Sequence, residues 1–287
     1  MSRIAIATCR ELPVADDDQL LLSESCAGLD IEAIPAIWDD ESVEWDSFEL
    51  VVLRSTWDYT DRLEEFLSWV GSLARVCNPL EVVTWNTDKH YLEDLEMRGV
   101  PTTPTTYAST GTELIIPESD RFVVKPSVGA GSMGAERFDR DDVEGAIAHV
   151  ERLASVGKVS MVQPYFEDVD AQGETSVIFI DGVPSHAIEK GAMLAVDELD
   201  RTGLYRTESI RHRSAASEEL NVAGAALDAA REATGQRAPL LYARVDLLPS
   251  QQGPVVVELE LTEPSLFLTF AEQAPGRLAE AIARRLS

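Results

Sequence analysis

The chain has 287 residues, 45% of them hydrophobic, and its 24 basic and 51 acidic side chains give a formal net charge of -27. That length supports two or three small lobes with cores of their own, and the acidity argues against a nucleic-acid backbone as partner, because phosphate contact needs basic clusters. The N-terminus lacks the extended hydrophobic core of a signal peptide and no apolar run of about eighteen residues occurs, so neither a signal peptide nor membrane insertion is expected, and three cysteines without C-x-x-C spacing point to a reducing cytoplasm rather than to disulfides or a zinc knuckle.

Taken in chain order, Arg3–Ala7 reads as a strand, the acidic Asp16–Asp18 leads into an apolar helix, and Leu50–Leu53 has the unbroken apolar character of a doubly buried strand. The string that follows, Leu53-Arg-Ser-Thr-Trp-Asp-Tyr59, lies where α/β sheets present ligands. There Arg54 has the fork to grip a carboxylate, with Ser55 and Trp57 shaping the pocket; the alternative is a turn-capping surface arginine and a core tryptophan. Arg62–Ser72 has helical spacing, and Lys89 opens a helix carrying Leu92, Leu95 and Met97. The expected fold class is therefore α/β in residues 1–100, with the proline-rich Pro101–Pro104 as a boundary to a central lobe over 101–166.

Within that lobe, Phe122-Val-Val-Lys125 is a strand that runs into a loop of small residues, Gly129-Ala-Gly-Ser-Met-Gly134. Gly129, Gly131 and Gly134 let backbone N–H groups approach an anion, Ser132 sits among them, and Lys125 adds a point charge, which together suit phosphate. A dinucleotide fingerprint would need a helix to begin inside the loop. Ala135–Phe138 instead reads as a returning strand, and the next helix is expected after Asp141 or Asp142 along Val143, Ile147 and Val150. No Gly-Lys-Ser/Thr, His-Arg-Asp or Asp-Phe-Gly string occurs in the chain, which argues against a Walker loop and a protein kinase.

The chain has only four lysines, at 89, 125, 158 and 190; Lys190 ends an apparent strand His186–Lys190, and Lys158 is expected to be merely solvated. Residues 167–287 read as a third lobe of alternating strands with a C-terminal helix. Tyr205–Arg213 supplies Arg206 and Arg211 as candidates to face an acceptor, or simply to pair with neighbouring acids. In Tyr242–Asp246 and Val257–Glu260 the period of two puts Arg244 with Asp246 and Glu258 with Glu260, so three acids and an arginine converge. Such a cluster reads as a magnesium and phosphate site, against the alternative of a solvent-facing acidic hairpin. Ser265, in Glu263–Phe267, follows the acids closely enough to reach substrate or, equally, to start a helix. The four scattered histidines have no visible nucleophile partner and receive no role.

Six features in order resemble the ATP-grasp superfamily over most of the chain: Lys89, Gly99-Val-Pro-Thr102, Val124-Lys-Pro126 with its glycine loop, Met161–Phe166, Gly173-Glu174, and Arg244-Val-Asp246 with Glu258-Leu-Glu260. The resemblance implies an N-terminal α/β domain and a nucleotide held between the central and C-terminal lobes. It implies that Lys89, Lys125 and the loop contact the phosphates, that Gln163, Tyr165 and Phe166 hold adenine and Glu174 the ribose, and that Asp246, Glu258 and Glu260 bind magnesium or manganese. Arg244 and Lys125 would serve the transferring phosphoryl group. The superfamily commonly carries asparagine where this chain has Glu260. The expected activity is ATP-dependent phosphorylation of a small carboxylate or amino-acid derivative, which is then joined to an amine. Leu53–Tyr59, Trp85–Leu92 and Glu258–Leu268 look like the branch with glutathione-synthetase-like proteins and the D-cycloserine-forming ligase, where attack within one molecule is the alternative. A non-catalytic ATP-binding sensor is a reading of another class. Relatives in the superfamily are often dimers, which makes a homodimer an expectation here.

Overall fold

The computed structural model describes residues 1–13, 16–191, 204 and 209–287. Four strands, β1 (Ser2–Thr8), β2 (Ile31–Ile37), β3 (Leu50–Ser55) and β4 (Val76–Cys77), form a parallel sheet in the order β2-β1-β3-β4. The central pair is buried nearly throughout, which is why Ile4–Ala7 and Leu50–Leu53 are uninterrupted apolar runs. Helices α1 (Asp17–Ala27), α2 (Leu63–Ser72) and α3 (Leu80–Asn86) accompany this sheet, whereas α4 (Tyr91–Met97) turns Tyr91, Leu92 and Leu95 into a core with Val177 and Leu227 of the C-terminal part. In α4, Leu92 and Leu95 are buried as the spacing predicts, but Met97 is 75% exposed because, two positions beyond Leu95, it points to the opposite side of the helix.

The next sheet is antiparallel: β5 (Thr106–Ala108), β6 (Arg121–Pro126), β7 (Glu136–Asp139) and β8 (Ser160–Pro164) stand in the order β5-β8-β6-β7. Helix α5 (Val143–Ser155) covers it, started by Asp142, whose carboxylate accepts from the Gly145 N–H at 3.1 Å. The face of α5 differs from the sequence expectation. Val143 and Ile147 are exposed, while Ala146, His149, Val150 and Leu153 pack with Phe122, Val124 and Phe138. Lys158, expected to be solvated, reaches across to Asp61 at 2.7 Å.

A third, antiparallel sheet follows the short α6 (Val169–Gln172). Its strands β9 (Glu174–Ile180), β10 (Val183–Lys190), β11 (Ile210–Arg213), β12 and β13 take the order β11-β10-β9-β12-β13. Helix α7 (Ser217–Ala233) precedes β12 (Tyr242–Leu248) and β13 (Val255–Glu260), and α8 (Ala274–Leu286) ends the chain. Ile4 and Ile6 of the first sheet share one core with Ile178, Ile180 and Ile188 of the third and with Leu278 and Ile282 of α8. The proline-rich segment between the first two sheets is not a free linker: Val256 donates to the Pro101 carbonyl at 2.9 Å and Thr103 donates to that of Val256 at 2.8 Å. No described helix is long and apolar enough to cross a membrane.

Candidate functional site

Strand register builds the site. On the β12–β13 ladder, Arg244 lies opposite Glu260 and Asp246 opposite Glu258, while the alternate residues Val245, Leu247 and Leu259 enter a hydrophobic core. One carboxylate oxygen from each of Asp246, Glu258 and Glu260 falls within 4.8 Å of the others. Around them Arg244 donates from Nε and Nη2 to Asp246, each at 2.9 Å, and also pairs with Glu260. Lys190 reaches Asp246 at 2.9 Å and Glu174 at 3.1 Å, and Lys89 reaches Glu258 at 3.2 Å.

Among the described residues no strand pairs with the outer edge of β13 beside its acids; side chains take that place. Tyr91 Oη accepts from the Leu259 N–H at 2.9 Å, Asn86 Nδ2 donates to the Leu259 carbonyl at 2.7 Å, and Asn86 Oδ1 accepts from the Leu261 N–H at 2.7 Å. Asn78 donates to the carbonyls of Tyr242 and Leu261 at 3.0 and 2.7 Å and accepts from the Leu241 N–H at 2.9 Å. Glu258 and Glu260 therefore project from a strand whose backbone is tied on both sides.

The glycine loop faces these acids. Lys89 Nζ donates to the Gly129 carbonyl at 2.6 Å and its N–H to that of Ser127 at 2.9 Å. Gly131 and Ser132 have successive positive φ values of 58°, and the turn they make is closed by the Met133 N–H donating to the Ala130 carbonyl at 3.1 Å. Between loop and acids lies a cleft of about 150 Å³ whose walls include Lys89, Lys125, Gly129, Gly131, Ser132, Gln163, Tyr165, Phe166, Glu174, Lys190 and Arg244. Gly134 is set back from this lining. A larger cavity of about 480 Å³ shares Lys89, Arg244, Glu258 and Glu260 with the cleft and extends toward Asp16–Asp18, Trp57, Tyr59, Glu263, Ser265 and Phe267.

Three of the acceptor candidates lie elsewhere. Arg54 is 1% exposed and absent from both linings; its guanidinium donates to the Pro264 carbonyl at 2.5 Å and approaches Asp18 and Asp16 at 3.4 and 3.6 Å. It binds the chain's own acids and loop, so it is not the open carboxylate fork its position suggested. Ser55 is fully buried beside Thr8. Arg211 stands with its side chain 70% exposed on Glu189. Arg206 lies outside the described residues. Trp57 and Ser265 do line the larger cavity, and the Trp57 indole donates to the Glu263 carbonyl at 3.0 Å. Asp16, Tyr59 and Glu263 were not singled out in the sequence; the acidic stretch before α1 and the glutamate after Leu261-Thr262 were the available signals.

The electrostatics follow from burial and crowding. Burial alone would raise the Asp246 carboxyl, but Arg244 and Lys190 override it and hold the group well below the carboxylate range. Glu258 is likewise lowered against its burial by Lys89 and Lys125. Glu260 goes the other way: burial, opposed by Arg244 and reinforced by Glu258 and Asp246, pushes it up to about 8. Burial also raises Glu263 to about 7, offset in part by Lys89, and raises Asp16 to about 6 against the pull of Arg54. Lys125 is lowered by burial, opposed by Glu258 and reinforced by Lys89. Three crowded carboxyl groups, whose crowding a small divalent cation would relieve by binding all three in ionised form, are the hard oxygen donor set such an ion takes, and the residues fit it.

A curated relative, the cycloserine biosynthesis protein DcsG of Streptomyces lavendulae, is 42% identical over 289 residues, covering 96% of this chain and 95% of the relative. The chain belongs to the ATP-grasp ligases, in the D-cycloserine synthetase family. Residues 4–81 match the family model described as the N-terminal domain of D-cycloserine synthetase DcsG. The crystal structure of D-cycloserine synthetase DcsG superposes on this ATP-grasp ligase with a TM-score of 0.90 at 38% identity, covering 100% of both chains. A D-alanine--D-alanine ligase from Bacillus anthracis complexed with ATP shares the fold, with a TM-score of 0.67 at 14% identity over 100% of this chain and 97% of the other. The fold is thus ATP-grasp, and the chain is an ATP-dependent carboxylate–amine ligase.

Proposed function

We propose that this ligase is a D-cycloserine synthetase: it phosphorylates the carboxylate of a small amino-acid derivative with ATP and closes the resulting acyl phosphate on an amine of the same molecule. The observation that carries this reading is the end-to-end likeness to DcsG, at 42% identity in sequence. The same site would equally serve attack by a separate amine. The paired placement of Arg244, Asp246, Glu258 and Glu260 speaks against a mere nucleotide sensor, which needs no such set.

In this reading the lobes are residues 1–100, 101–166 and 167–287, with ATP in the cleft between the last two and the acceptor in the larger cavity. Gln163, Tyr165 and Phe166 hold the adenine end and Glu174 the ribose. Lys89, Lys125 and the glycine loop, through Gly129, Gly131 and Ser132, hold the phosphates, while Gly134, set back from the cleft, turns the loop out of it. Asp246, Glu258 and Glu260 would bind magnesium, replaceable by manganese, which when bound neutralises phosphate charge. Arg244 lies against the γ-phosphoryl group, and Lys125 adds positive charge as that group passes to the carboxylate oxygen. The bond to ADP breaks as the acyl phosphate forms; the amine then displaces phosphate and gives up a proton. Closure of the glycine loop over the site would keep water from the acyl phosphate. Trp57 and Ser265 border the acceptor. Its site includes none of Arg54, Ser55 or Arg211; Lys190 holds Asp246 and Glu174 in place. The enzyme is read as cytoplasmic and as a homodimer.

The test is ADP release with magnesium-ATP and amino-acid derivatives that carry an amine within reach of their own carboxylate, with mass spectrometry of the products. Release coupled to a product lighter by one water supports the cyclising reading. ADP release only when a second amine is added, or hydroxamate in the presence of hydroxylamine without any cyclic product, selects joining of two molecules.

A further inference from the structure

Among the four histidines, His149 on α5 is buried at 3% exposure and has a definite set of partners. Its Nε2 lies 2.9 Å from the Gly134 carbonyl, at the far end of the glycine loop. Its Nδ1 lies 2.7 Å from Arg152 Nη2 and 3.2 Å from Glu136 Oε1, and Arg152 also reaches Glu136 at 2.7 Å. A carbonyl can only accept, so Nε2 carries the proton and donates to Gly134. Nδ1 is served either way: unprotonated it accepts from Arg152, and protonated it donates to Glu136. The bond to Gly134 survives both charge states.

Gly134 is where the loop turns into β7. Its φ is +73°, a conformation that favours glycine, and a Cβ there would meet Leu153 and Pro126 at 3.4 Å. The opposite end of the loop is held by Lys89, through the carbonyls of Ser127 and Gly129. The loop is thus pinned at both ends, by the first sheet's side of the cleft at one and by α5 at the other, while Gly131 and Ser132 between them face the cleft.

We infer that His149 is a positioning residue for phosphate binding: by holding the Gly134 carbonyl it fixes the outgoing end of the glycine loop in the shape that receives the nucleotide. It touches neither nucleotide nor acceptor and acts through the backbone. This rests on the proposed reading that the loop holds the phosphates of ATP. The alternative is a histidine that only fills the small core beside Phe138, whose ring centre is 5.8 Å away.

Two substitutions separate these roles. A glutamine amide can take the place of Nε2 and donate to Gly134, whereas an asparagine amide takes the place of Nδ1 and falls short; both lose the ring against Phe138 equally. His149→Gln is expected to keep the KM for ATP within about threefold of the parent, and His149→Asn to raise it about tenfold with kcat changed less than about threefold. Amide hydrogen exchange at Met133 and Ala135, whose N–H groups bond to Ala130 and Ser132 inside the loop, should quicken about tenfold in His149→Asn alone. Equal exchange and equal KM in the two variants would overturn the inference in favour of core filling. If the parent protein failed to bind magnesium-ATP, the reading of the cleft would fall, while the exchange comparison, made without nucleotide, would still decide the anchor.

Discussion

The two walls of the cleft are built in different ways. The acid wall belongs to the third sheet, which shares its hydrophobic core with the first sheet and α8, so that Ile4, Ile178 and Leu278 lie in one cluster. The loop wall stands on the four-stranded sheet under α5, whose core is a small separate cluster around Phe122, Val124, Phe138 and Val150. The clustered charges sit on the part with the larger core, and the loop proposed to enclose a nucleotide sits on the part with the smaller.

The sharpest way to break the acid wall is Asp246→Asn. It keeps the shape but removes the charge shared by Arg244 and Lys190, and turnover should drop by more than about a thousandfold while the circular dichroism spectrum and nucleotide cleft remain. Arg244→Lys comes next. Lysine cannot span Asp246, Glu260 and the Ser265 carbonyl at once, and kcat should fall about a hundredfold with little change in the KM for ATP.

Asn78→Ala attacks the attachment of that wall rather than its chemistry. Three buried hydrogen bonds vanish, and at about 1 kcal/mol or more each the loss is about 3 kcal/mol, read as a melting temperature lower by roughly 10 °C.

The pH dependence probes the same wall through Glu260. Its carboxyl titrates near 8 in the folded protein against an ordinary 4.5, so between those values the folded chain holds more protons than the unfolded one. In metal-free protein, stability should therefore fall as pH rises from about 4.5 to about 8 and then level off. Glu260→Gln should flatten that slope, and saturating magnesium should reduce it by favouring the ionised form. Thermal unfolding across pH 5 to 8, with and without magnesium, reads all three.

The smallest effect belongs to the tie between the loop wall and the N-terminal part of the chain. Asp61→Ala removes the partner of Lys158, but the Asp61 side chain is 78% exposed, so stability should change by less than about 0.5 kcal/mol. A larger loss in urea unfolding would mean that the loop wall leans on the first sheet more than its surface contact indicates.

What could be read from the amino-acid order follows the range of the forces involved. The period of two in Arg244-Val-Asp246 and Glu258-Leu-Glu260 is local, so the convergence of four charged side chains was legible before any fold was known. The glycine loop and its returning strand were legible for the same reason. The buried face of α5 was not: Val143 and Ile147 are apolar yet exposed, because the narrow sheet beneath is covered by Ala146, His149, Val150 and Leu153 alone. Arg54 misled in the opposite direction, since strand-end position suggested an open binding group and only tertiary pairing with Asp16, Asp18 and Pro264 closes it. Asn78, Asn86 and Tyr91 bond to backbone more than 160 residues away, a relation that no spacing rule contains.

Those three side chains have one more effect. An antiparallel sheet normally ends in a row of unanswered N–H and C=O groups, an invitation to any extended chain, including a second copy of the same protein, to add itself. Along β13 that row is answered from Pro101 and Thr103 at Val256 and from Tyr91, Asn86 and Asn78 as far as Leu261. The strand that carries Glu258 and Glu260 is thus guarded against a stray strand, and its defence against self-association is written in backbone, amide and phenol groups rather than in surface lysines.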